Sequence, residues 1–142
     1  MPRLIVIDTN VVSAAVRGDW PHSAQTWFLT TRSRHVITVV TAMELVYGIQ
    51  RMPLGKRRDK VLAATEELTA RDETRVLPLT AAAATLAGAL RAAREASGRP
   101  LALADAQIAG ICLTHDALLA TRNVRDFVGL DLDVIDPWTE GL

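Results

Sequence analysis

Apolar positions along this chain fall into short β-branched runs separated by longer stretches of helical period. Leu4-Ile5-Val6-Ile7 is a compact apolar run ended by the capping residues Asp8-Thr9-Asn10, the pattern of a buried strand passing straight into a helix. A helix is predicted over 22–32. Val36-Ile37-Thr38-Val39-Val40 reads as a second buried strand, followed by Thr41-Ala42-Met43-Glu44 and an apolar-periodic helix to about Arg51. Pro53 and Gly55 break the chain before a charged helix over 56–71. Arg75-Val76-Leu77-Pro78 is a short strand ended by proline. Thr80 is placed to cap an Ala-rich helix over 81–97, which Gly98 and Pro100 terminate. A helix over Leu103 to His115, a strand at Ala117–Thr121 and another at Val134-Ile135 complete the pattern. Such alternation predicts a three-layer α/β/α fold, with a short, mostly parallel sheet flanked by helices. No repeat or linker interrupts it, so residues 1–142 are expected to form a single domain.

Composition narrows the chemistry. Hydrophobic residues make up 49% of the chain but aromatics only 4%, so the core must come from Ala, Leu, Val and Ile. Lys+Arg and Asp+Glu are both 16, which excludes a surface coated throughout in positive charge. The charge is unevenly spread: residues 1–60 hold nine Lys/Arg against four Asp/Glu, and the remainder seven against twelve. A cationic face beside an anionic pocket is compatible with that split. The single cysteine, Cys112, excludes an intrachain disulfide and a Cys-based zinc site, and reads as a small buried hydrophobe. Only four apolar residues separate Met1-Pro2-Arg3 from Asp8, and no run approaches the ~18 of a spanning helix. A soluble, cytoplasmic protein is expected.

Four acids stand out: Asp8, Glu44, Asp105 and Asp126. Each has a bland reading. Asp8 can cap a helix, Glu44 stands three residues after Thr41 as in a capping box, and Asp105 can serve a helix dipole. Asn123 and Asp126 repeat the cap-plus-three spacing. Their conjunction points elsewhere, because Asp8, Glu44 and Asp126 all follow apolar strands closely. In an open parallel sheet the carboxyl ends of the strands line one crevice. Carboxylates gathered there repel one another unless a cation lies among them, and oxygen donors suit Mg²⁺ or Mn²⁺. That arrangement suits metal-assisted phosphodiester hydrolysis.

Asp8-Thr9-Asn10, Thr41-x-x-Glu44-Leu45, Asp105-Ala106-x-Ile108-Ala109 and Thr121-Arg122-Asn123-x-x-Asp126-Phe127 together resemble the four motifs of PIN-domain ribonucleases. The nearest resemblance is to the VapC toxins of toxin–antitoxin pairs, especially their FitB-like branch, and the closing Asp136-Pro137-Trp138 is similar to the end of that branch. The resemblance implies a PIN-like fold and a magnesium-dependent endoribonuclease. It also implies a dimer, an RNA substrate and neutralisation by a VapB-like antitoxin, alone or in a larger toxin–antitoxin assembly. By motif, Asp8 and Asp105 match the principal metal-binding acids and Glu44 the third. The fourth acid varies in place within the family; Asn123 is a neutral amide here, which leaves Asp126 as the candidate. The mechanism implied is in-line attack by a metal-activated water, with Thr9, Thr121, Arg122 and Asn123 as candidates to position water or phosphate.

Other features leave alternatives open. Arg51, Lys56, Arg57, Arg58 and Lys60 form either a solvated helix face or a phosphate-contacting surface. Trp20, Trp27, Phe28 and Tyr47 are either core or a groove for an antitoxin helix. Helix 81–97 is either core or a dimer contact. His22, His35 and His115 lie outside the motifs and read as surface or packing residues. Rival readings are a PIN-like module that binds nucleic acid or a partner without catalysis, and a PIN nuclease in RNA processing outside a toxin system. Haloacid-dehalogenase-like phosphatases and receiver domains also place an Asp after the first strand. The former want Asp where Asn10 stands, and both use a late lysine, whereas the last one here is Lys60.

Overall fold

Ile5–Ile7 (β1) is apolar at every position and lies at the centre of a wholly parallel sheet, where both its faces are covered. His35–Thr38 (β2) and Val76–Leu77 (β3) extend the sheet on one side, Leu118–Ala120 (β4) and Val134–Ile135 (β5) on the other, giving the order β3-β2-β1-β4-β5. The computed structural model describes residues 2–69 and 75–140. Its helices are Thr9–Arg17 (α1), His22–Thr31 (α2), Val39–Gln50 (α3), Lys56–Thr69 (α4), Ala81–Ala96 (α5), Leu103–Thr114 (α6) and Pro137–Glu140 (α7). The expected three-layer α/β/α arrangement is present. The last two residues of the helix expected over 56–71 lie outside the described residues.

Strand alternation divides the core in two. Val6, Val36, Leu77 and Leu119 point to one face, where they meet Ala83 and Ala87 of α5 and Ala106, Ile108 and Ala109 of α6. Ile5, Ile7, Ile37 and Ala120 point to the other, against Val11 and Val12 of α1 and Phe28 of α2, with Trp20, Trp27 and Trp138 packed around them. The first-third aromatics are therefore mostly core; Tyr47 is the exception, exposed beneath the Arg51 guanidinium at 5.1 Å. Ala83 and Ala87 are core too, since a Cβ on Gly110 of α6 would stand 2.4 Å from the Ala83 carbonyl oxygen. Thr80 caps α5 as expected, accepting from the Ala83 N–H at 3.1 Å, and Gly98 adopts the left-handed conformation (φ 78°) just beyond its end.

Two expectations about caps are corrected. β2 stops at Thr38, not Val40, because the Thr38 hydroxyl accepts the Thr41 N–H at 3.1 Å and starts α3 three residues early. Thr41 and Glu44 thus lie inside the helix and form no capping box, which frees the Glu44 carboxylate. Asn123 makes no side-chain cap; Val124–Phe127 is a 3₁₀ turn closed by the Asp126 N–H on the Asn123 carbonyl. Cys112 is buried, with burial pushing its thiol up to about 12. His22 and His115 are exposed. His35 lies between Trp27 and Phe28, and burial beside Arg32, Arg34 and Arg75 lowers it to about 4. Among the described residues no helix is long and apolar enough to cross a membrane.

Candidate active site

The sheet changes winding direction at β1, since β2 lies on one side of it and β4 on the other. Side chains leaving the carboxyl ends of β1 and β4 therefore face one crevice. Asp8 continues β1 by donating its N–H to Ala120 O at 2.9 Å, and Thr121 continues β4 by donating to Ile135 O at 2.9 Å. Both are almost wholly buried, and the Thr121 hydroxyl donates to Asp8 Oδ2 at 2.7 Å. Asn10 Nδ2 donates to the same Oδ2 (3.2 Å) and to Thr121 Oγ1 (3.1 Å), while Asp8 Oδ1 accepts the Thr9 N–H at 2.8 Å. Asp8 is thus an N-cap as well as the fixed centre of the site; the bland reading and the functional one hold together.

Glu44 reaches the site from α3. Its Oε1 accepts the Thr9 hydroxyl at 2.7 Å, and Thr9 Oγ1 also lies 3.2 Å from the buried Thr41 hydroxyl. Asp105 sits in the first turn of α6, half-buried, and its carboxylate makes no hydrogen bond to any described residue.

Electrostatics show how these acids are gathered. Burial pushes the Asp8 carboxyl above the usual carboxylate range, against the pull of the Thr121 hydroxyl and the Thr9 N–H, and the Glu44 charge adds to the rise. Burial, then the charges of Asp8, Asp126 and Glu44, push Asp105 up to about 6, opposed by Arg94. Asp126 is exposed and reaches the group through its charge only, placing it at the rim. Asn123 is also exposed; its N–H donates to Thr121 Oγ1 at 3.0 Å. Arg122 donates its backbone N–H to Asn10 Oδ1 at 3.2 Å, while its guanidinium lies over the Trp138 ring.

Among the described residues no three acids are drawn tightly enough to cage a metal unaided. The donor set still fits a hard divalent cation, because Mg²⁺ commonly takes one or two carboxylates and keeps waters and phosphate oxygens for the rest. Asp105 and Glu44 Oε2 offer oxygens without a hydrogen bond to any described residue, and the repulsion that Asp8 and Glu44 exert on Asp105 is what a cation would relieve.

Sequence reasoning did not give Asn10 a role, although its side chain ties Asp8, Thr121 and Arg122 together. Nor did it single out Arg94 of α5, whose Nη1 donates to the carbonyls of Asp126 (3.0 Å) and Val128 (3.3 Å) and holds the rim turn from behind. Asn10 was discoverable from its place in the first motif; Arg94 had no local signal. A groove of about 920 Å³ runs between α1, α3 and α4, and Thr9 and Glu44 are among the residues that line it. Three members of the basic cluster, Lys56, Arg57 and Lys60, line it together with Arg17, whereas Arg58 bonds Gln50 Oε1.

Residues 5–131 match the PIN domain family. VapC ribonuclease Y4jK of Sinorhizobium fredii (strain NBRC 101917 / NGR234) is 31% identical over 137 residues, covering 95% of this chain and 98% of that protein. The tRNA(fMet)-specific endonuclease VapC of Shigella flexneri is 33% identical over 122 residues, covering 86% and 88%. Among solved structures, DNA-bound VapBC from Salmonella typhimurium superposes with a TM-score of 0.81 at 27% identity, over 96% of this chain and 99% of that one. The fold, the motif order and these full-length matches agree: the chain belongs to the PIN-domain family, in its VapC group.

Proposed function

We propose that this chain is a divalent-metal-dependent endoribonuclease, using Mg²⁺ with Mn²⁺ as a substitute, and acts in the cytoplasm as the toxin of a VapBC-type pair. Residues 1–142 would work as one catalytic domain, in a homodimer. The carrying observation is the convergence of Asp8, Glu44 and Asp105 at the sheet's switch point, where burial first, and then the charges of Asp8, Asp126 and Glu44, raise Asp105 to about 6. Asp8 and Asp105, with Glu44, would hold the cation. Bound there, it supplies Lewis acidity toward a phosphate oxygen and acidifies a coordinated water. The chain's own residues supply the orientation. Thr121, Asn10 and the Thr9 N–H lock both Asp8 oxygens, and Thr9 steers Glu44. Asp126 adds negative charge at the rim. The names of the VapC relatives support RNA as the substrate, and the VapBC structure supports an antitoxin partner. The groove suits such a partner: Met52, Leu54 and Val61 give apolar contacts for an amphipathic segment and its cations favour an acidic one.

The test is incubation of the purified protein with tRNA and with total RNA, in Mg²⁺, in Mn²⁺ and in EDTA. Cleavage in either cation and none in EDTA is expected. Loss of an outer-shell partner commonly costs about 10–100-fold, so Asp8→Asn and Asp105→Asn should each lower the rate by at least ~100-fold with the fold retained. Undiminished metal-dependent cleavage by both variants would overturn the scheme.

A further inference from the structure

Arg122 and Trp138 leave adjacent strands, β4 and β5, at the carboxyl edge that carries Asp8. The Arg122 guanidinium carbon stands 4.4 Å from the centroid of the Trp138 ring. Trp138 is half-buried and is itself held in place: its ring packs on Trp20 at 6.4 Å, and Trp20 packs on the buried Phe28 at 5.2 Å. At the other end of the same residue, the Arg122 N–H is fixed by Asn10 Oδ1 at 3.2 Å, and Asn10 in turn touches Asp8. The guanidinium is exposed and makes no ion pair or side-chain hydrogen bond with any described residue.

A flexible cation on a surface normally loses side-chain freedom when it binds an anion. Here one face of the guanidinium rests on an aromatic plane and its N–H edge stays open, one residue from the threonine that holds Asp8. Guanidinium stacked in this way keeps its charge and its planar fork, which matches the oxygens of a phosphate. We propose that Arg122 is a phosphate clamp for the RNA backbone beside the acid site, and that Trp138 is the positioning residue that fixes its plane. This rests on the nuclease reading above. The acids repel a polyanion, and a cation held against a fixed ring at their margin offsets that repulsion at one defined point.

The test uses cleavage and filter binding of unfractionated tRNA by the full chain carrying Arg122→Gln, Arg122→Lys, Trp138→Leu, Trp138→Phe or the double change Arg122→Gln/Trp138→Leu. Arg122→Gln should raise KM and weaken binding about 10- to 100-fold, the range for losing a charge-assisted hydrogen bond, with kcat held within about twofold. The slope of log affinity against log salt should fall by about 0.7, the loss of one phosphate contact on a single strand. Arg122→Lys should keep that slope but bind more weakly. Trp138→Leu should raise KM about threefold with the slope unchanged, and Trp138→Phe should recover most of the loss. If Trp138 acts through Arg122, the double variant matches Arg122→Gln alone. Unchanged binding and salt slope in Arg122→Gln would overturn the clamp, and additive losses in the double variant would overturn the role of Trp138. Absence of cleavage by the wild-type chain would defeat the nuclease reading instead, since binding is read without cleavage.

Discussion

Asp105 is the residue at which function and stability oppose each other most openly. Its carboxyl is pushed from 3.8 to about 6 by burial and by the charges of Asp8, Asp126 and Glu44. A carboxyl raised on folding holds its proton longer in the native state than in the unfolded one. Its contribution to stability is therefore greatest below about pH 4 and is lost as pH rises through about 6. In metal-free protein, Asp105→Asn should remove that slope. The group is half-exposed, so solvent screening limits the gain to about 1 kcal/mol at pH 8, vanishing near pH 4. Chemical denaturation of wild type and variant at both pH values checks this; a variant less stable at pH 8 would contradict it. The same residue was legible in the sequence because a polar group opening an apolar helix is conspicuous. Its raised pKa was not, because Asp8, Glu44 and Asp126 lie far from it in the chain and meet it only once the strands are ordered.

At the scale of elements, the position of Asp105 depends on how closely α6 can approach α5. Gly110 allows that approach: an added Cβ would lie 2.4 Å from the Ala83 carbonyl oxygen and 3.3 Å from the Ala87 nitrogen, backbone atoms that cannot swing aside. Gly110→Ala should destabilise by about 1–3 kcal/mol through overpacking, despite the better helix propensity of alanine. Gly88, on α5, has open space around its Cβ position, so Gly88→Ala should stabilise by about 0.5–1 kcal/mol. Opposite signs in thermal unfolding are the expected outcome, and equal shifts would remove the close-approach argument. Element types were readable from the alternation of β-branched runs and helical periods. The start of α3 was not, since Thr38 and Thr41 both have cap chemistry and only the tertiary structure selects between them. Val39 and Val40 then enter the helix although their β-branching favours a strand.

At the scale of the whole molecule, the site is assembled from strand ends that are adjacent in space and distant in sequence. The motifs marked Asp8, Glu44 and Asp105, but neither the Trp138 contact of Arg122 nor the groove between α1, α3 and α4 has a local signature, because both depend on the strand order and on helix placement. The same assembly makes the native state alone a concentrated set of carboxylates, which an unfolded chain disperses. A divalent cation that binds the native set should therefore stabilise the fold by linkage, by about 1.4 kcal/mol at tenfold its dissociation constant. Competition with the Asp105 proton gives this gain a pH dependence: larger at pH 8, where the group is ionised, than at pH 5, below its value of about 6. The measurement is Tm against Mg²⁺ and Mn²⁺ at constant ionic strength at the two pH values, beside Asp8→Asn and Asp105→Asn. The wild type should gain a few degrees at pH 8 and less at pH 5, and both variants should respond weakly at either. A wild-type Tm indifferent to both cations, or a gain that both variants share in full, would mean that the carboxylates meet at the switch point without holding a metal there.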